Sequence, residues 1–128
     1  MTAKKIITTS EAPAPIGPYN QAVLSRNTLY ISGQIALNPK SGELETANLE
    51  VETHRVMHNI EAILNQAEMD FDKVVKCSIF ISDMNHFDKI NAIYGTYFDP
   101  STAPARETVQ VAKLPKNVNV EISAIAIK

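Results

Sequence analysis

The sequence contains few of the residues that several common folds and catalytic sites require. Its 128 residues include one cysteine, no tryptophan and four glycines. A single cysteine cannot form an internal disulfide, which fits the reducing environment of the cytoplasm. The sequence also has no glycine-rich phosphate loop, no G-x-S-x-G motif and no Ser/His/Asp order. These absences argue against a disulfide scaffold, a phosphate-binding loop and a serine hydrolase.

Clustered positive charge and long apolar runs are also scarce. The formal net charge is −2, and the 12 lysine and arginine residues are scattered, with Lys4-Lys5 the only adjacent pair. No nucleic-acid partner is expected, because such proteins carry a basic patch or stripe. No apolar run approaches the roughly 18 residues that a membrane-spanning helix needs. No apolar segment follows the basic N-terminus, so neither a membrane partner nor a secretory signal is expected.

What is present favours one α+β domain spanning residues 1–128. Apolar residues make up 45% of the chain and charged residues 20%, as is ordinary for a globular protein. Alternating and helical hydrophobic patterns predict the order β-β-β-α-β-α-β-β, with two helices on one face of a mixed sheet. The first four strands are predicted at 5–9, 21–25, 28–32 and 74–81, and the apolar faces of the helices at 56–67 and 87–97. Three prolines and a glycine make residues 10–18 irregular.

The last two predicted strands each carry a charge where alternation implies a half-buried surface. Arg106 and Glu121 are therefore the first candidates for a functional site, because an unpaired buried ion is costly. If residues 114–117 form a four-residue hairpin loop, period-two alternation gives the two strands one shared polar face. That face would hold Arg106, Thr108, Gln110, Glu121 and Ser123. The alternative interpretation is a solvated strand face with an incidental arginine and glutamate.

Three further positions have both a functional and a structural interpretation. Tyr19 follows a rigid Gly-Pro corner. Either the fixed backbone directs its ring into a cleft, or Tyr19 is a core aromatic residue whose hydroxyl oxygen is exposed. Ser32-Gly33 ends the third strand, where a glycine permits close approach by a ligand or another chain, or makes a bulge. Asn91 lies beside the apolar stripe of the second helix, as a pocket residue or a structural amide.

Two residue types that often bind metals or act as nucleophiles are given structural interpretations. His54 and His58 lie one helical turn apart, but the glutamate of an H-E-x-x-H motif and a third ligand are absent. No metal site is therefore predicted. Cys77 lies inside a β-prone run with no activating base nearby in the sequence, so it is predicted to be a buried core residue.

Several short segments together resemble a known family over nearly the whole chain. They are Ala14-Pro15-Ile16-Gly17-Pro18-Tyr19, Ser32-Gly33-Gln34-Ile35, Asn91-Ala92-Ile93-Tyr94, Pro104-Ala105-Arg106 and Val120-Glu121-Ile122. The ordered set resembles the Rid family of reactive-intermediate imine deaminases. This resemblance implies a chorismate-mutase-like fold and a homotrimer with clefts between subunits.

The resemblance also implies an activity without cofactor or metal. A short 2-imino acid, such as 2-iminobutanoate or 2-iminopropanoate released by a pyridoxal-phosphate dehydratase, would be hydrolysed to a 2-keto acid and ammonia. Arg106 would hold the substrate carboxylate. Glu121 would position the hydrolytic water or transfer protons beside it. Other residues expected to bind substrate are Tyr19, Ser32, Gly33, Asn91 and Thr108.

Two positions depart from the deaminase pattern of the family. Thr108 stands where a cysteine is usual, and Ser123 replaces the more usual glutamate of the last strand. A non-catalytic ligand-binding or regulatory module, which would keep the arginine clamp without turnover, therefore stays open as an alternative. Some family members have been described as ribonucleases or translation inhibitors. The acidic net charge and the lack of a histidine acid/base pair argue against that function here.

Overall fold

Six strands form one mixed sheet, and two helices accompany it. The structure is a computed structural model and describes residues 3–128. Along the chain lie β1 (Lys4–Ile7), β2 (Ala22–Ser25), β3 (Thr28–Gln34), α1 (Leu49–Gln66), β4 (Val74–Ile81), α2 (Phe87–Gly95), β5 (Ala105–Gln110) and β6 (Val120–Ile127). The predicted order of elements is therefore confirmed. Neither helix is long and apolar enough to cross a membrane within this part of the chain.

The local sequence supplies a cap for α1 and for the 3₁₀ turn that precedes α2, whereas the N-cap of α2 itself, His86, makes no side-chain capping bond. The Asn48 side chain accepts a hydrogen bond from the Val51 amide at 2.8 Å, which starts α1 at Leu49. Asp83 accepts from the Asn85 amide at 2.9 Å in the 3₁₀ turn that leads into α2. The apolar stripes of the helices then pack into the core.

The strand order corrects the predicted C-terminal hairpin. The sheet runs β1-β2-β3-β6-β4-β5, so β4 lies between β5 and β6. β5 pairs with β4 in parallel, whereas β6 pairs antiparallel with both β4 and β3. The expected hairpin between β5 and β6 is wrong. The physical reason is the helix α2 between β4 and β5, because such a crossover allows two strands to pair in parallel.

The same register separates the two charged candidates. Cys77 of β4 is paired with Arg106, and Phe80 of β4 is paired with Glu121. Since side chains alternate along β4, positions three apart point to opposite faces of the sheet. Arg106, Thr108 and Gln110 thus share the face that the helices cover, whereas Glu121 and Ser123 lie on the other face. The predicted common face for these five residues is therefore wrong.

The two faces of the sheet differ in their burial. On the helix side, β6 buries alternate residues: Val120, Ile122, Ala124 and Ala126. The opposite face carries Tyr30 and Val109, which are 50% and 41% exposed. Near the β5 edge, this face also holds a polar group, in which Glu107 accepts from Ser78 and pairs with Lys76 at 2.9 Å. Hydrophobic side chains thus remain at the surface on this side of the sheet.

Candidate functional site

Arg106 lies on β5 beneath the helix α2, whose side chains hold its guanidinium. Nη1 of Arg106 donates to Oδ1 of Asn91 at 2.6 Å. The guanidinium carbon lies 5.1 Å from the centre of the Tyr94 ring and 5.6 Å from that of Phe87. Residues 87, 91 and 94 share one side of the helix because they are three or four positions apart. The sequence pattern of α2 therefore presents one amide and two aromatic rings to the arginine.

The half-buried Arg106 has no acidic partner in the described chain. None of the ion pairs found in residues 3–128 includes it, and its contacts are a neutral amide and two aromatic rings. Removing a guanidinium partly from water without a counter-ion is unfavourable. Its remaining donors have the geometry to bind a carboxylate. Arg106 is therefore the candidate in this structure for binding an anion.

Thr108 lies on the same apolar wall as Arg106. The wall between β4, β5 and α2 is formed by Ile79, Ile81, Phe87, Ile90, Asn91, Arg106 and Thr108. The hydroxyl oxygen of Thr108 is buried and has no hydrogen-bond partner in residues 3–128. Buried polar atoms are seldom left so in proteins. A ligand or a water beside Arg106 would give this hydroxyl a partner.

Cys77 lies behind this wall and is not available as a nucleophile. The residue is 2% exposed, so the prediction of a core cysteine is confirmed. Burial raises the pKa of its thiol, which disfavours the reactive thiolate. Burial also raises the pKa of Tyr94. Neither group is therefore suited to attack a substrate near neutral pH.

Glu121 projects from the other face of the sheet and lies across Gly33. A Cβ atom added to Gly33 would stand 2.4 Å from Oε2 of Glu121. Gly33 belongs to the irregular step between Ile31 and Gln34 in the pairing of β3 with β6. The irregular pairing agrees with the bulge, one of the two interpretations of this glycine, and the group that lies close to Gly33 is the Glu121 carboxyl of the same chain.

The environment of Glu121 favours its neutral form. Burial raises the pKa of this half-buried carboxyl group. No hydrogen bond or ion pair of Glu121 occurs among the residues that the structure describes. An unpaired carboxyl of this kind can both donate and accept a proton closer to neutral pH than an ordinary glutamate.

Tyr19 and Ser32 lie near Glu121 in the fold. Ser32 donates through Oγ to the Asn20 carbonyl at 2.7 Å, which ties β3 to the segment carrying Tyr19. The Tyr19 ring is 48% exposed, so the alternative of a core aromatic is wrong. A concavity beside it is lined by Pro13, Ala14, Pro15, Ile16, Tyr19, Gln21, Gly33, Gln34, Ile35, Leu37 and Lys116.

Two buried polar residues that support this concavity had not been identified from the sequence. The Gln21 side chain bonds the Thr9 amide at 2.7 Å and the carbonyls of Thr9, Ala12 and Pro13, which fixes the proline-rich segment. The Glu52 carboxylate accepts two bonds of 2.7 Å from Asn119, just before β6. The partners of both residues are distant in sequence, so no local motif announces them.

The candidate residues thus form two groups rather than one. The arginine group contains Arg106, Asn91 and Thr108 on the helix side of the sheet. The glutamate group contains Glu121, Gly33, Ser32 and Tyr19, centred on the opposite face. Within a single chain the sheet separates the Arg106 guanidinium from the Glu121 carboxylate.

The histidine pair lies away from both groups. Nδ1 of His54 is 2.6 Å from the Tyr97 hydroxyl oxygen, and the rings of His54 and His58 are 6.0 Å apart. Burial lowers the pKa of His58. Residues 3–128 contain no group of three or more His, Cys, Asp or Glu side chains placed to hold a metal ion. The pair is explained by packing and hydrogen bonding to Tyr97.

The fold and the two groups define a small α+β protein with a half-buried arginine held by an amide and two aromatic rings, and with a glutamate whose pKa is raised by burial. The profile of the family described as Endoribonuclease L-PSP matches residues 9–128. The chain is 47% identical to the 2-iminobutanoate/2-iminopropanoate deaminase of Mus musculus, over 98% of this chain and 92% of the mouse protein. The chain belongs to the Rid family, as the resemblance of its motifs had indicated.

Solved structures agree with this assignment. A Rid-family protein of unknown function from Yersinia pestis is 46% identical, with a TM-score of 0.95 over 98% of this chain and all of that chain. TdcF of E. coli, solved with bound serine, is 40% identical, with a TM-score of 0.91 over 97% of this chain and 98% of its own. The predicted α+β architecture is therefore that of the family.

Proposed function

We propose that this protein hydrolyses short 2-imino acids, such as 2-iminobutanoate and 2-iminopropanoate, to 2-keto acids and ammonia. It would thereby remove reactive products of pyridoxal-phosphate dehydratases acting on serine or threonine. The observation that carries the proposal is the half-buried Arg106, held by Asn91 and two aromatic rings and without an acidic partner among residues 3–128. Relatives that are about 47% identical are named as deaminases of these imines.

Arg106 would bind the carboxylate that every 2-imino acid carries. A guanidinium has five N–H donors in a planar fork, and Asn91 engages Nη1. The other donors are free for a paired contact with two carboxylate oxygens. The aromatic faces of Phe87 and Tyr94 favour a cation and keep its plane fixed. The clamp would thus orient the imine carbon without taking part in bond changes.

Glu121 would move protons during the addition of water. Its neutral form donates a proton to the imine nitrogen while the oxygen of water bonds to the imine carbon. The carboxylate then accepts a proton from the added water. The neutral Glu121 would then return this proton to the amino nitrogen of the carbinolamine. The C–N bond breaks to release ammonia, and the hydroxyl proton passes to the Glu121 carboxylate as the carbonyl of the keto acid forms. The raised pKa of Glu121 suits these steps, since each protonation state is accessible.

The proposal requires a second copy of the chain. Because Arg106 and Glu121 project from opposite faces of one sheet, they would meet only across an interface. The helix-free face exposes apolar residues such as Tyr30 and Val109, and burying them against another subunit would be favourable. We propose a homotrimer in which neighbouring sheets cover this face and the arginine group of one subunit faces the glutamate group of the next. Light scattering should report three times the chain mass of 14.1 kDa.

A coupled assay tests the proposed reaction. A threonine dehydratase would generate the imine in amine-poor buffer, and the appearance of 2-ketobutanoate would be followed with and without this protein. We expect faster keto-acid formation with the wild-type protein and none of that acceleration with Arg106→Ala. An unaccelerated rate with wild-type protein would contradict the proposal. Calorimetric binding of 2-ketobutanoate without turnover would instead identify a ligand-binding module.

A further inference from the structure

The turn before β6 carries a lysine, and both ends of this turn are anchored in the core. Leu114 and Val118, on either side of the turn, are buried in the core. Asn119 is held by its two hydrogen bonds to the buried Glu52. The turn formed by residues Pro115–Asn117 therefore projects from a fixed base. The anchoring of both ends in the core fixes the position of the tip of this turn.

Lys116, at this tip, has a backbone conformation that its residue type does not favour. Its φ and ψ angles are 54° and 23°, in the left-handed region. The next residue, Asn117, also has a positive φ of 57°, but asparagine tolerates this region better than most residues. A glycine at position 116 would adopt the same angles without the steric conflict of a Cβ atom. The lysine is thus disfavoured locally, and strained residues of this kind cluster at functional sites.

The position of Lys116 relates it to the glutamate group. Lys116 lines the same concavity as Tyr19 and Gly33, and the carboxylate of Glu121 lies against Gly33. Lys116 makes no ion pair with an acidic side chain of residues 3–128. Its side chain therefore brings an unneutralised positive charge to a concavity that otherwise exposes apolar and amide groups.

We propose that Lys116 is a second cationic residue of the site, which attracts the carboxylate of the substrate into the concavity beside Glu121. This inference rests on the proposed function. A fixed positive charge at the mouth of a site raises the local concentration of an anionic ligand and speeds its capture. Lys116 would thus act on substrate entry, whereas Arg106 fixes the bound carboxylate.

Three variants separate this role from a structural one. Lys116→Met removes the charge, keeps most of the side-chain length and retains the left-handed strain. Lys116→Gly removes the charge and relieves the strain. Lys113→Met removes a charge from the exposed end of the same loop, outside the concavity. Kinetic constants in the coupled imine assay, their dependence on salt, and melting temperatures would be measured for all three.

We expect both Lys116 variants to lower kcat/KM by about tenfold at low salt, mainly through a higher KM, and to flatten its salt dependence. Lys116→Gly should also melt at a higher temperature than the wild-type protein, because strain is relieved. Lys113→Met should behave like the wild type. Wild-type kinetics in Lys116→Gly would overturn the inference while leaving the proposed reaction intact. If the wild-type protein itself lacks turnover, the affinity for 2-ketobutanoate would be measured by calorimetry. An affinity of Lys116→Met equal to that of the wild type would then overturn the role of Lys116.

Discussion

The two sides of the sheet hold their charged residues in different ways. Arg106 is enclosed by a helix, which supplies an amide acceptor and two aromatic faces. Glu121 lies on the face without helices, against the backbone of Gly33, and its raised pKa results from burial alone. The arginine is thus placed by side-chain packing within one chain. The glutamate is placed where the absence of a side chain at Gly33 leaves room for its carboxyl group.

The largest effect is expected when the Arg106 side chain is removed. Arg106→Ala should abolish imine hydrolysis, because loss of one partner from a buried charge pair costs roughly 2–5 kcal/mol. Arg106→Lys should also fail substantially, since an ammonium lacks the planar fork. Turnover and circular dichroism would be measured together. Near-normal turnover in correctly folded Arg106→Ala protein would remove the carboxylate clamp from the mechanism.

The corresponding test of the glutamate side separates binding from turnover. Glu121→Gln should still bind a keto acid but turn over about 10²–10⁴-fold more slowly, which is the usual contribution of a positioned acid/base. Binding would be measured by calorimetry and turnover by the coupled assay. Equal losses in both would indicate a structural role for Glu121, and an unchanged rate would exclude it from proton transfer.

Gly33→Ala tests whether the glutamate depends on the gap beneath it. A Cβ at this position would stand 2.4 Å from Oε2 of Glu121, so the side chain must move. We expect turnover to fall at least about tenfold, a part of the acid/base contribution, with little loss of stability. Gly95→Ala is the matched control, because no atom lies within 4 Å of a Cβ added there. Equal kinetics for the two variants would show that Glu121 needs no close approach to β3.

The pH dependence of stability sharpens the same comparison. A raised pKa in the folded protein means that the folded state holds the Glu121 proton more tightly than the unfolded chain does. Its stabilising contribution is present below the ordinary value of 4.5 and is lost as the pH rises through the raised pKa. The melting temperature of the wild type relative to Glu121→Gln should therefore be higher near pH 4 than near pH 7.5. A difference that does not change with pH would contradict the raised pKa.

The smallest effect is expected at Thr108. Its hydroxyl is buried without a partner in the described chain, and Cys77 behind it is shielded from solvent. Thr108→Ala should keep most activity, and Thr108→Cys should leave it unchanged or raise it. Thiol-alkylating reagents should leave the native protein largely active. Keto-acid formation at one imine concentration measures all three, and complete loss in Thr108→Ala with the trimer intact would mean that the hydroxyl takes part.

The elements were predictable because their signals are local. The strand at residues 74–81 appears in the structure with the predicted bounds. The second strand ends and the third begins at the predicted residues, Ser25 and Thr28. The apolar stripe predicted for the first helix is buried along α1. Each of these features depends on neighbours in the chain.

The partner of each strand was not predictable in the same way. Two consecutive β-prone segments favour a hairpin, yet β4 occupies the place between β5 and β6. Alternation predicts which residues of one strand share a face. Whether residues of β5 and β6 lie on the same face depends on how each strand pairs with β4, which lies between them. One inserted strand was enough to move Arg106 and Glu121 to opposite faces. The supports at Gln21 and Glu52 were missed for a related reason, because their partners come from distant segments.

The sequence by itself determined the class of fold, the order of its elements and, through its motifs, the family and the residue types expected at the site. Only the tertiary structure decided which of those residues lie together. Local propensities and periodicity act over a few residues, whereas strand order and polar contacts join segments far apart in the chain. Arg106 therefore packs with Asn91 of α2, and Glu121 lies against Gly33 of β3.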